Sequence, residues 1–270
     1  MGRHRLTSMM LAIYGEITNL FVKPKHGSAM VERDRIAIAS GSGIDGDINT
    51  NPISPRQILV ARYEDLQSFS IQPSELRENI VVRGIDPQLF ASGTVLKTMD
   101  GAAMRLTFHC EPCKRIARLV DSLKCIEGRR GMLAVAIADG TLKVGDRLYI
   151  EPNVFPPLSE IPYERFLDFV AKIPVGKVVT YRQIVSGIGV LDGHFRAIPN
   201  YLKKAAIAGY PVHRILDSKG YLTTHVTAQR EKLEAENILI VDESGESLER
   251  PTSSVSLETY LWEDPTIYLR

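Results

Sequence analysis

The sequence predicts a two-domain α+β protein, with an N-terminal β-barrel followed by a small helix-turn-helix domain. Three observations carry this prediction. Apolar runs in the first 150 residues are short and separated by turn residues, as in small barrels. Four prolines then fall within residues 151–162, where neither a sheet nor a helix can continue. Beyond them, apolar residues recur at helical spacing.

Two Asp-Gly pairs give the strongest hairpin signals of the first half. Both residue types tolerate a positive φ, so Asp-Gly between apolar runs predicts a tight β-turn. Asp100-Gly101 and Asp139-Gly140 each separate two such runs. With the turn-rich segment 41–47, they predict a closed barrel. The runs cover residues 95–98 and 104–108 around the first pair, and 132–138 and 142–150 around the second.

Three helices are predicted in the second half. The first carries an apolar stripe over residues 166–173 and stops at Pro174. Thr180 and Gln183 stand three residues apart, which is the spacing of a capping box that opens the second helix. The third helix covers residues 195–208. Two helices joined by a short glycine-containing turn predict a helix-turn-helix.

The composition divides the chain into four segments. Residues 1–152 form the predicted barrel, and residues 153–160 form a proline-rich linker. Residues 161–243 form the helical domain, and residues 244–270 an acidic C-terminal tail.

Composition also bounds the class of protein. The chain is 44% apolar and 24% charged, which is average for soluble globular proteins. Three cysteines do not make a disulfide framework and fit a reducing compartment. No apolar run approaches the ~20 residues of a membrane-spanning helix. We therefore expect a soluble cytoplasmic protein with no membrane partner.

The overall charge is balanced, but its distribution along the chain is not. Lys and Arg number 33 against 32 Asp and Glu. Residues 172–219 nevertheless contain eight basic and two acidic residues, whereas residues 242–265 contain seven acidic and one basic. This pattern predicts a nucleic-acid site and an acidic segment that competes for Lys177, Lys203 and Lys204. A solvated helix face beside an ordinary polar terminus is the plain alternative.

Several separated motifs of the second half, in order, carry a resemblance to a known family. Residues 173–184 read Ile-Pro-Val-Gly-Lys-Val-Val-Thr-Tyr-Arg-Gln-Ile, residues 196–198 read Arg-Ala-Ile, and residues 211–214 read Pro-Val-His-Arg. Over residues 160–241 the chain resembles the DNA-binding domain of O6-alkylguanine-DNA alkyltransferases, whose active site reads Pro-Cys-His-Arg. The resemblance implies a small winged-helix-like domain that binds DNA.

One departure from the family pattern decides the expected chemistry. Val212 stands at the position of the family's methyl-accepting cysteine. An isopropyl group has no lone pair and cannot accept an alkyl group, so alkyl transfer is excluded. His213 and Glu236 resemble the family's activating residues, and with Val212 they are the implied lining of a base pocket.

Alkyltransferase-like proteins lack the cysteine as well, and residues 228–236 resemble theirs closely. Those proteins are understood to bind alkylated guanine in DNA, flip it and flag it for other repair machinery. The resemblance therefore implies DNA carrying O6-alkylguanine or a related modified base as a partner, together with a repair protein.

The same resemblance implies roles around the recognition helix. Arg196 would fill the gap left by a flipped base, and Tyr181 would crowd the phosphate and favour rotation. Lysines would bind phosphates without reading sequence. The plain alternatives are a core tyrosine at Tyr181, a helix-start arginine at Arg196 and a structural histidine at His213. The implied DNA-binding residues are Tyr181, Arg182, Gln183, Arg196, Lys203, Lys204 and Arg214.

Cys110 and Cys113 are the densest candidate chemistry of the first half. A Cys-x-x-Cys pair is half of a zinc site, a redox pair or two packed thiols. A helix predicted over residues 114–123 places Cys113 at its N-terminus beside Lys114, where the dipole and the cation favour a thiolate. Reactive chemistry at this pair is the leading interpretation, and the zinc and packed-thiol alternatives stay open.

Motifs around Cys113 carry a second resemblance. They read Gly-Ile-Asp-Gly-Asp at 43–47, Arg-Gln-Ile-Leu-Val at 56–60, Leu-Arg-Glu-Asn-Ile-Val-Val at 76–82, Gly-Ile-Asp at 84–86 and Pro-Cys at 112–113. Residues 12–150 thereby resemble MOSC (molybdenum-cofactor sulfurase C-terminal) domains, which are β-barrels.

The MOSC resemblance implies that Cys113 is a molybdenum ligand or a persulfide carrier. Arg56, Asn79 and Lys114 are the implied contacts of a molybdenum cofactor, although Asn79 could instead be a buried turn residue. Some MOSC proteins reduce N-hydroxylated nucleobases, and others receive sulfur from a pyridoxal-phosphate desulfurase domain. No pyridoxal-phosphate domain is expected in this chain, so sulfur would come from a donor protein.

The two resemblances predict a DNA-repair-associated fusion protein. It would bind and flip modified purines without alkyl transfer, and its barrel would carry a reactive Cys113 that binds molybdenum cofactor or carries sulfur. The alternatives are a molybdenum-cofactor-dependent reductase of N-hydroxylated nucleobases and a persulfide sulfur carrier.

Overall fold

The first half of the chain is a β-barrel. The computed structural model describes residues 14–242, 253–263 and 267–268. The strands of the first half are β1 Tyr14–Val22, β2 Val31–Arg33, β3 Arg35–Ala39, β4 Gly43–Ile44, β5 Ile58–Arg62, β6 Ile80–Arg83, β7 Val95–Thr98, β8 Ala103–His109, β9 Met132–Ala138, β10 Gly140–Lys143 and β11 Arg147–Glu151.

Seven of the described strands close a ring in the order β1-β6-β5-β9-β8-β7-β11, and β11 pairs again with β1. Tyr14 lies opposite Tyr149 at this closure. Within the ring only β5 and β6 pair in parallel. Side chains of β1, β5, β6, β8 and β9 fill the interior, where Ile17, Ile58, Ile80 and Leu106 are fully buried. The predicted barrel and the α+β class are confirmed.

One of the two predicted hairpins is correct. β7 and β8 pair across Asp100-Gly101, with Leu96 opposite Met104. The hairpin predicted at Asp139-Gly140 is wrong, because β10 pairs with β3 instead of β9. The Asp139 carboxylate accepts the Ser40 backbone N–H at 2.7 Å, which diverts the chain toward β3. A long-range partner therefore overrides the local turn signal.

The helix predicted over residues 114–123 is also wrong. Two short 3₁₀-helices take its place, Lys114–Leu119 and Leu123–Ile126. Residues three apart share a face in a 3₁₀-helix, so Ile116 and Leu119 still pack together against a second apolar cluster, which includes Phe21 of β1 and Val81 of β6. Helix α1, Tyr63–Ser68, contributes to the same cluster.

The second half is a small helical domain with short strands. Its elements are α2 Pro162–Ala171, β12 Val179–Thr180, α3 Tyr181–Gly187, a 3₁₀-helix Asp192–Ala197, α4 Ile198–Ile207, a 3₁₀-helix Val212–Arg214, β13 Ile215–Leu216, α5 Gln229–Ala235, β14 Ile240–Asp242, β15 Ser253–Val255 and α6 Leu257–Tyr260.

The three predicted helices are present. The capping box of α3 is complete, because Thr180 Oγ1 accepts the Gln183 N–H and the Gln183 side chain accepts the Thr180 N–H. The third predicted helix begins as a 3₁₀-helix and becomes α-helical at Ile198. Phe169 and Leu202 are fully buried in the core that α2, α3 and α4 share.

The described part of the predicted acidic tail is built into this domain. β15 pairs with β14, and the Val255 side chain is 3% exposed. The Trp262 ring lies 5.8 Å from the Phe169 ring, centroid to centroid. The rest of the predicted tail lies outside the described residues.

The contacts divide the chain into two units at Pro157 and Leu158, inside the segment predicted as the linker. Residues 41–43 and 49–57 group with the second unit, although strands of the first unit flank them in the sequence. Within the described ranges, no helix has the length and apolarity needed to cross a membrane.

Candidate nucleic-acid interface and thiol site

The helix-turn-helix of the second unit presents exposed cations. Arg182 lies in the first turn of α3, Arg196 lies in the last turn of the 3₁₀-helix that leads into α4, and Lys203 and Lys204 lie on α4. All four are exposed, and none makes an ion pair within the part of the chain that the structure describes. The Lys204 ammonium lies over the Tyr163 ring, 5.8 Å from its centroid. Exposed, uncompensated cations on these helices are suited to binding phosphates.

Two of the predicted DNA-binding residues have roles inside the domain. Gln183 caps α3 and also donates from Nε2 to the Trp262 carbonyl at 2.9 Å. The Tyr181 hydroxyl lies 2.9 Å from Thr223 Oγ1, and burial raises the pKa of Tyr181. The hydroxyl is thus held in one position and stays protonated at neutral pH.

Val212 begins the 3₁₀-helix Val212–Arg214 and is 2% exposed. The two following side chains both reach Glu236. His213 Nε2 lies 2.7 Å from Glu236 Oε1, and Arg214 Nη2 donates to the same oxygen at 2.7 Å. The Gly176 backbone N–H donates to Glu236 Oε2 at 3.0 Å.

These contacts fix the ionisation of Glu236. Burial raises the pKa of this carboxyl, but the hydrogen bonds from Arg214, Gly176 and His213 outweigh burial and lower the pKa to about 2. Arg214, a predicted DNA contact, also donates from Nη1 to the Ile173 carbonyl at 2.7 Å. The structure therefore places Arg214 in an interior network that anchors the turn behind Val212.

In the barrel, the Cys113 thiol is half-buried and lies beside a buried arginine. Arg130 Nη1 is 3.5 Å from Cys113 Sγ, and the same nitrogen donates to the Glu111 carbonyl. Cys110 is 4% exposed, and its backbone N–H donates to the Gly131 carbonyl at 2.9 Å. Cys113 is a free thiol, and the described residues contain no cluster of ligands for a metal ion.

A buried carboxyl next to this arginine was not predicted as a site residue. Glu78 is 0% exposed, and its Oε2 has no hydrogen-bond partner within the described ranges. Burial raises the pKa of Glu78 to about 7, although backbone N–H groups and Arg130 act in the opposite direction. Its place between Arg77 and Asn79 in a quoted motif was the only sequence signal.

Comparisons with known proteins identify both units. Residues 56–149 match the family model of the MOSC domain, and residues 162–238 match that of the "6-O-methylguanine DNA methyltransferase, DNA binding domain". The chain joins a MOSC domain to a methyltransferase-type DNA-binding domain. No curated protein matches it.

Several solved structures are similar to parts of this chain. S. pombe Atl1, in complex with damaged DNA containing O6-carboxymethylguanine, is 26% identical, covering 38% of this chain and 94% of its own, with a TM-score of 0.33. YiiM from Geobacillus stearothermophilus is 16% identical, covering 82% of this chain and 98% of its own, with a TM-score of 0.44. The YuaD protein from Bacillus subtilis is 17% identical; the match covers 52% of this chain and 96% of YuaD, with a TM-score of 0.46.

The residues predicted to bind a cofactor in the MOSC domain do not come together as a set. The Asn79 amide donates to Asp47 Oδ2 at 2.9 Å and accepts the Leu59 N–H at 3.0 Å, so it locks the strands and the turn around it. Arg56 groups with the second unit and donates to the Gly189 carbonyl at 3.0 Å. Lys114 is exposed at the start of its 3₁₀-helix.

A different group of cations lies together in the MOSC domain. Burial, together with the positive charges of Arg77 and Arg115, lowers the pKa of Lys23. None of these three side chains forms a salt bridge to a described carboxylate. The backbone of Arg77 has a φ of 65°, in the left-handed region. Lys23 thus has two positive neighbours and one negative neighbour, Asp47, and a group with a net positive charge fits an anionic group such as a phosphate. With the half-buried Cys113 and the unpartnered Glu78 oxygen, the domain has side chains suited to a molybdenum cofactor.

Proposed function

We propose that the C-terminal domain binds DNA that carries a modified purine, extrudes the base and leaves it chemically unchanged. The observation that carries the proposal is Val212, buried at the head of a turn in which His213 and Arg214 are both hydrogen-bonded to Glu236. A domain that kept this turn but holds an aliphatic side chain at its head can bind a base and cannot accept an alkyl group.

The surrounding residues would divide the work of binding. Phosphates would be neutralised by Lys203, Lys204 and Arg182. These contacts set the position of the domain on the duplex but do not read the base sequence. Arg196 enters the stack in place of the extruded base, while the tethered Tyr181 ring crowds the phosphate beside it. Extrusion costs a few kcal/mol, and least for a base whose pairing is already weakened, so damage is selected at this step.

The test compares two duplexes that differ in one base, O6-methylguanine or guanine. The wild-type chain should bind the modified duplex more tightly, and Arg196→Ala should remove that preference. Lys232→Ala, an exposed cation on α5, is the matched control and should keep it. Equal affinity for both duplexes, or a mass increase of the protein after incubation, would overturn the proposal.

A second candidate function belongs to the MOSC domain and is favoured by the contact between Arg130 and Cys113. We propose that Cys113 ligates molybdenum and that Lys23, Arg77 and Arg115 hold the phosphate of the cofactor. The bound group would supply two-electron reduction, with N-hydroxylated nucleobases as the candidate substrates. Arg130 orients the sulfur, since its guanidinium is fixed by the Glu111 and Leu76 carbonyls.

Molybdenum and pterin content tests this second function. The protein is purified from a host that makes the cofactor, as wild type, Cys113→Ala and Cys125→Ala; Cys125 is the exposed cysteine and serves as the control. Near-stoichiometric metal that only Cys113→Ala loses is the expected result. Metal-free wild type overturns it and leaves persulfide transfer from a donor protein, which a thiol-labelling assay on Cys113 would then detect.

A further inference from the structure

The turn that follows α3 is held by side chains from three distant parts of the sequence. A helix leaves its last carbonyls without a partner inside the helix. At this end of α3, three successive carbonyls each accept a hydrogen bond from a side chain. The Gly187 carbonyl accepts from the Tyr268 hydroxyl, the Ile188 carbonyl from Arg165 Nε at 2.7 Å, and the Gly189 carbonyl from Arg56 Nη1 at 3.0 Å.

The backbone of the turn does not serve these carbonyls itself. The N–H groups of Ile188, Gly189 and Val190 all donate to carbonyls inside α3, at 2.9 to 3.2 Å. Gly189 has a φ of 64°, in the left-handed region, which turns the chain out of the helix. Residues 187–189 are buried, and so are Arg165 and Tyr268. A buried carbonyl that lost its donor here would be left without a partner, which costs more than losing a hydrogen bond at the surface.

Two of these three donors lie outside the stretch that matches the model of the DNA-binding domain. That match covers residues 162–238, whereas Arg56 precedes it and Tyr268 follows it. Both residues group with the second unit. We propose that Arg56 and Tyr268 are positioning residues for base discrimination, which fix the turn that sets the place of Arg196 and do not contact DNA themselves. This inference rests on the function proposed above for the C-terminal domain.

The turn leads directly into the segment that would enter the duplex. The Leu191 carbonyl accepts the His194 N–H at 2.9 Å, at the start of the 3₁₀-helix whose last turn contains Arg196. A side chain that fills the gap left by an extruded base must be placed closely, because small displacements of such a group cost large factors. The ammonium groups of Lys203 and Lys204 end long flexible side chains and tolerate small shifts of the backbone. Loosening the turn should therefore weaken base discrimination and leave phosphate binding intact.

Hydrogen exchange in the absence of DNA tests whether the two donors hold the turn. Arg56→Met removes the guanidinium and keeps an unbranched side chain, and Tyr268→Phe removes only the hydroxyl. Each variant of the full-length chain should speed the exchange of the Val190 and His194 amides by about tenfold, the factor that corresponds to one hydrogen bond of ordinary strength. Unchanged exchange in both variants overturns the proposal.

Two further variants control for the substitutions themselves. Arg56→Lys keeps a cation that can donate to the Gly189 carbonyl, so it should restore slow exchange. Tyr260→Phe removes another hydroxyl of the same C-terminal segment, one that accepts the Leu239 N–H at 3.3 Å. This variant should leave the exchange of the turn unchanged. Equal acceleration by Tyr260→Phe would show that the effect belongs to the segment in general and would overturn the role assigned to Tyr268.

DNA binding separates a positioning role from general destabilisation and from direct contact. On duplexes with O6-methylguanine or guanine, Arg56→Met and Tyr268→Phe should bind the guanine duplex as the wild type does and lose most of the preference for the modified one. Equal loss of affinity for both duplexes overturns the proposal in favour of general destabilisation. A salt slope lowered by about 0.9 in Arg56→Met would make Arg56 a phosphate contact and would overturn it as well.

This inference and the proposed function fail in different ways. A wild type without preference for either duplex contradicts both together. A wild type that prefers the modified duplex, with variants that keep the full preference, contradicts only the positioning roles of Arg56 and Tyr268.

Discussion

Arg214 holds Glu236 through three hydrogen bonds, from Nε to both carboxylate oxygens at 3.0 Å and from Nη2 to Oε1 at 2.7 Å. Both side chains are 12% exposed. No cysteine stands at Val212, so we assign this pair a structural role. It connects the Val212–Arg214 turn to the end of α5 and, through the Gly176 N–H, to the loop before β12. The pair therefore holds the turn that contains Val212 in place.

Glu236→Gln should destabilise the C-terminal domain at neutral pH. The pKa of Glu236 is about 2 in the folded protein against an ordinary value of 4.5. Its contribution is therefore full above pH 4.5 and is lost as the pH falls toward 2. We expect a loss on the order of 2 kcal/mol at pH 7 that shrinks below pH 4.5.

Urea unfolding measures this loss of unfolding free energy. The fluorescence of Trp262, the single tryptophan, reports on the C-terminal domain because Trp262 packs against its core. Glu231→Gln on the exposed side of α5 is the matched control and should change little. If the difference in unfolding free energy between wild type and Glu236→Gln stayed constant from pH 7 to pH 3, the lowered pKa of Glu236 would be contradicted.

Lys203→Ala should reduce the salt dependence of DNA binding. Each phosphate contact contributes about 0.9 to the slope of log affinity against log salt concentration, so one lost contact lowers the slope by about that amount. Lys203 is preferable to Lys204, whose ammonium also packs over the Tyr163 ring. An unchanged slope, measured beside Lys232→Ala, would place the DNA elsewhere on the domain.

Glu78→Gln should change how the stability of the MOSC domain depends on pH. Burial raises the pKa of Glu78 from its ordinary value of 4.5 to about 7. The folded domain therefore holds the carboxyl proton more tightly than the unfolded chain, and this contribution to the free energy of unfolding is complete below pH 4.5. That contribution is lost as the pH rises through 7. The wild type should therefore lose stability relative to Glu78→Gln between pH 4.5 and pH 8, by on the order of 2 kcal/mol.

Calorimetric melting across this pH range measures the Glu78 effect. Glu127→Gln, an exposed carboxylate in the same domain, controls for general charge effects. Parallel pH profiles for wild type and Glu78→Gln would show that Glu78 ionises normally.

Local signals in the sequence predicted local structure well. The capping box of Thr180 and Gln183 depends on two residues only three positions apart, and it forms as predicted. The Asp139-Gly140 turn failed because Ser40, 99 residues away, takes the Asp139 carboxylate. The spacing of residues along the chain carries no information about such a partner.

The same limit explains the thiol site. Motif membership selected Asn79 and Arg56, but it could not show that the Asn79 amide is used by the backbone or that Arg56 groups with the second unit. Arg130 lies 17 residues from Cys113 and belongs to no quoted motif. Only the fold brings this guanidinium to the sulfur.

Deleting residues 246–270 should destabilise the C-terminal domain and should not simply tighten DNA binding. The competition hypothesis treats this segment as a free acidic tail, yet β15 pairs with β14 and Val255 is buried. Lys177, one of the cations it was expected to mask, donates to the Thr259 carbonyl at 3.3 Å and not to a carboxylate.

Charge can be separated from architecture by substitution. Glu258 and Glu263 are exposed, so Glu258→Gln with Glu263→Gln removes two negative charges and leaves the strand, the helix α6 and Trp262 in place. If the segment competes electrostatically, the double variant binds DNA more tightly at low salt with an unchanged melting temperature. If the segment is architectural, affinity stays the same and only the deletion lowers the melting temperature. We expect this second outcome, because the Trp262 carbonyl accepts a hydrogen bond from Gln183 and Val255 is buried in an apolar cluster.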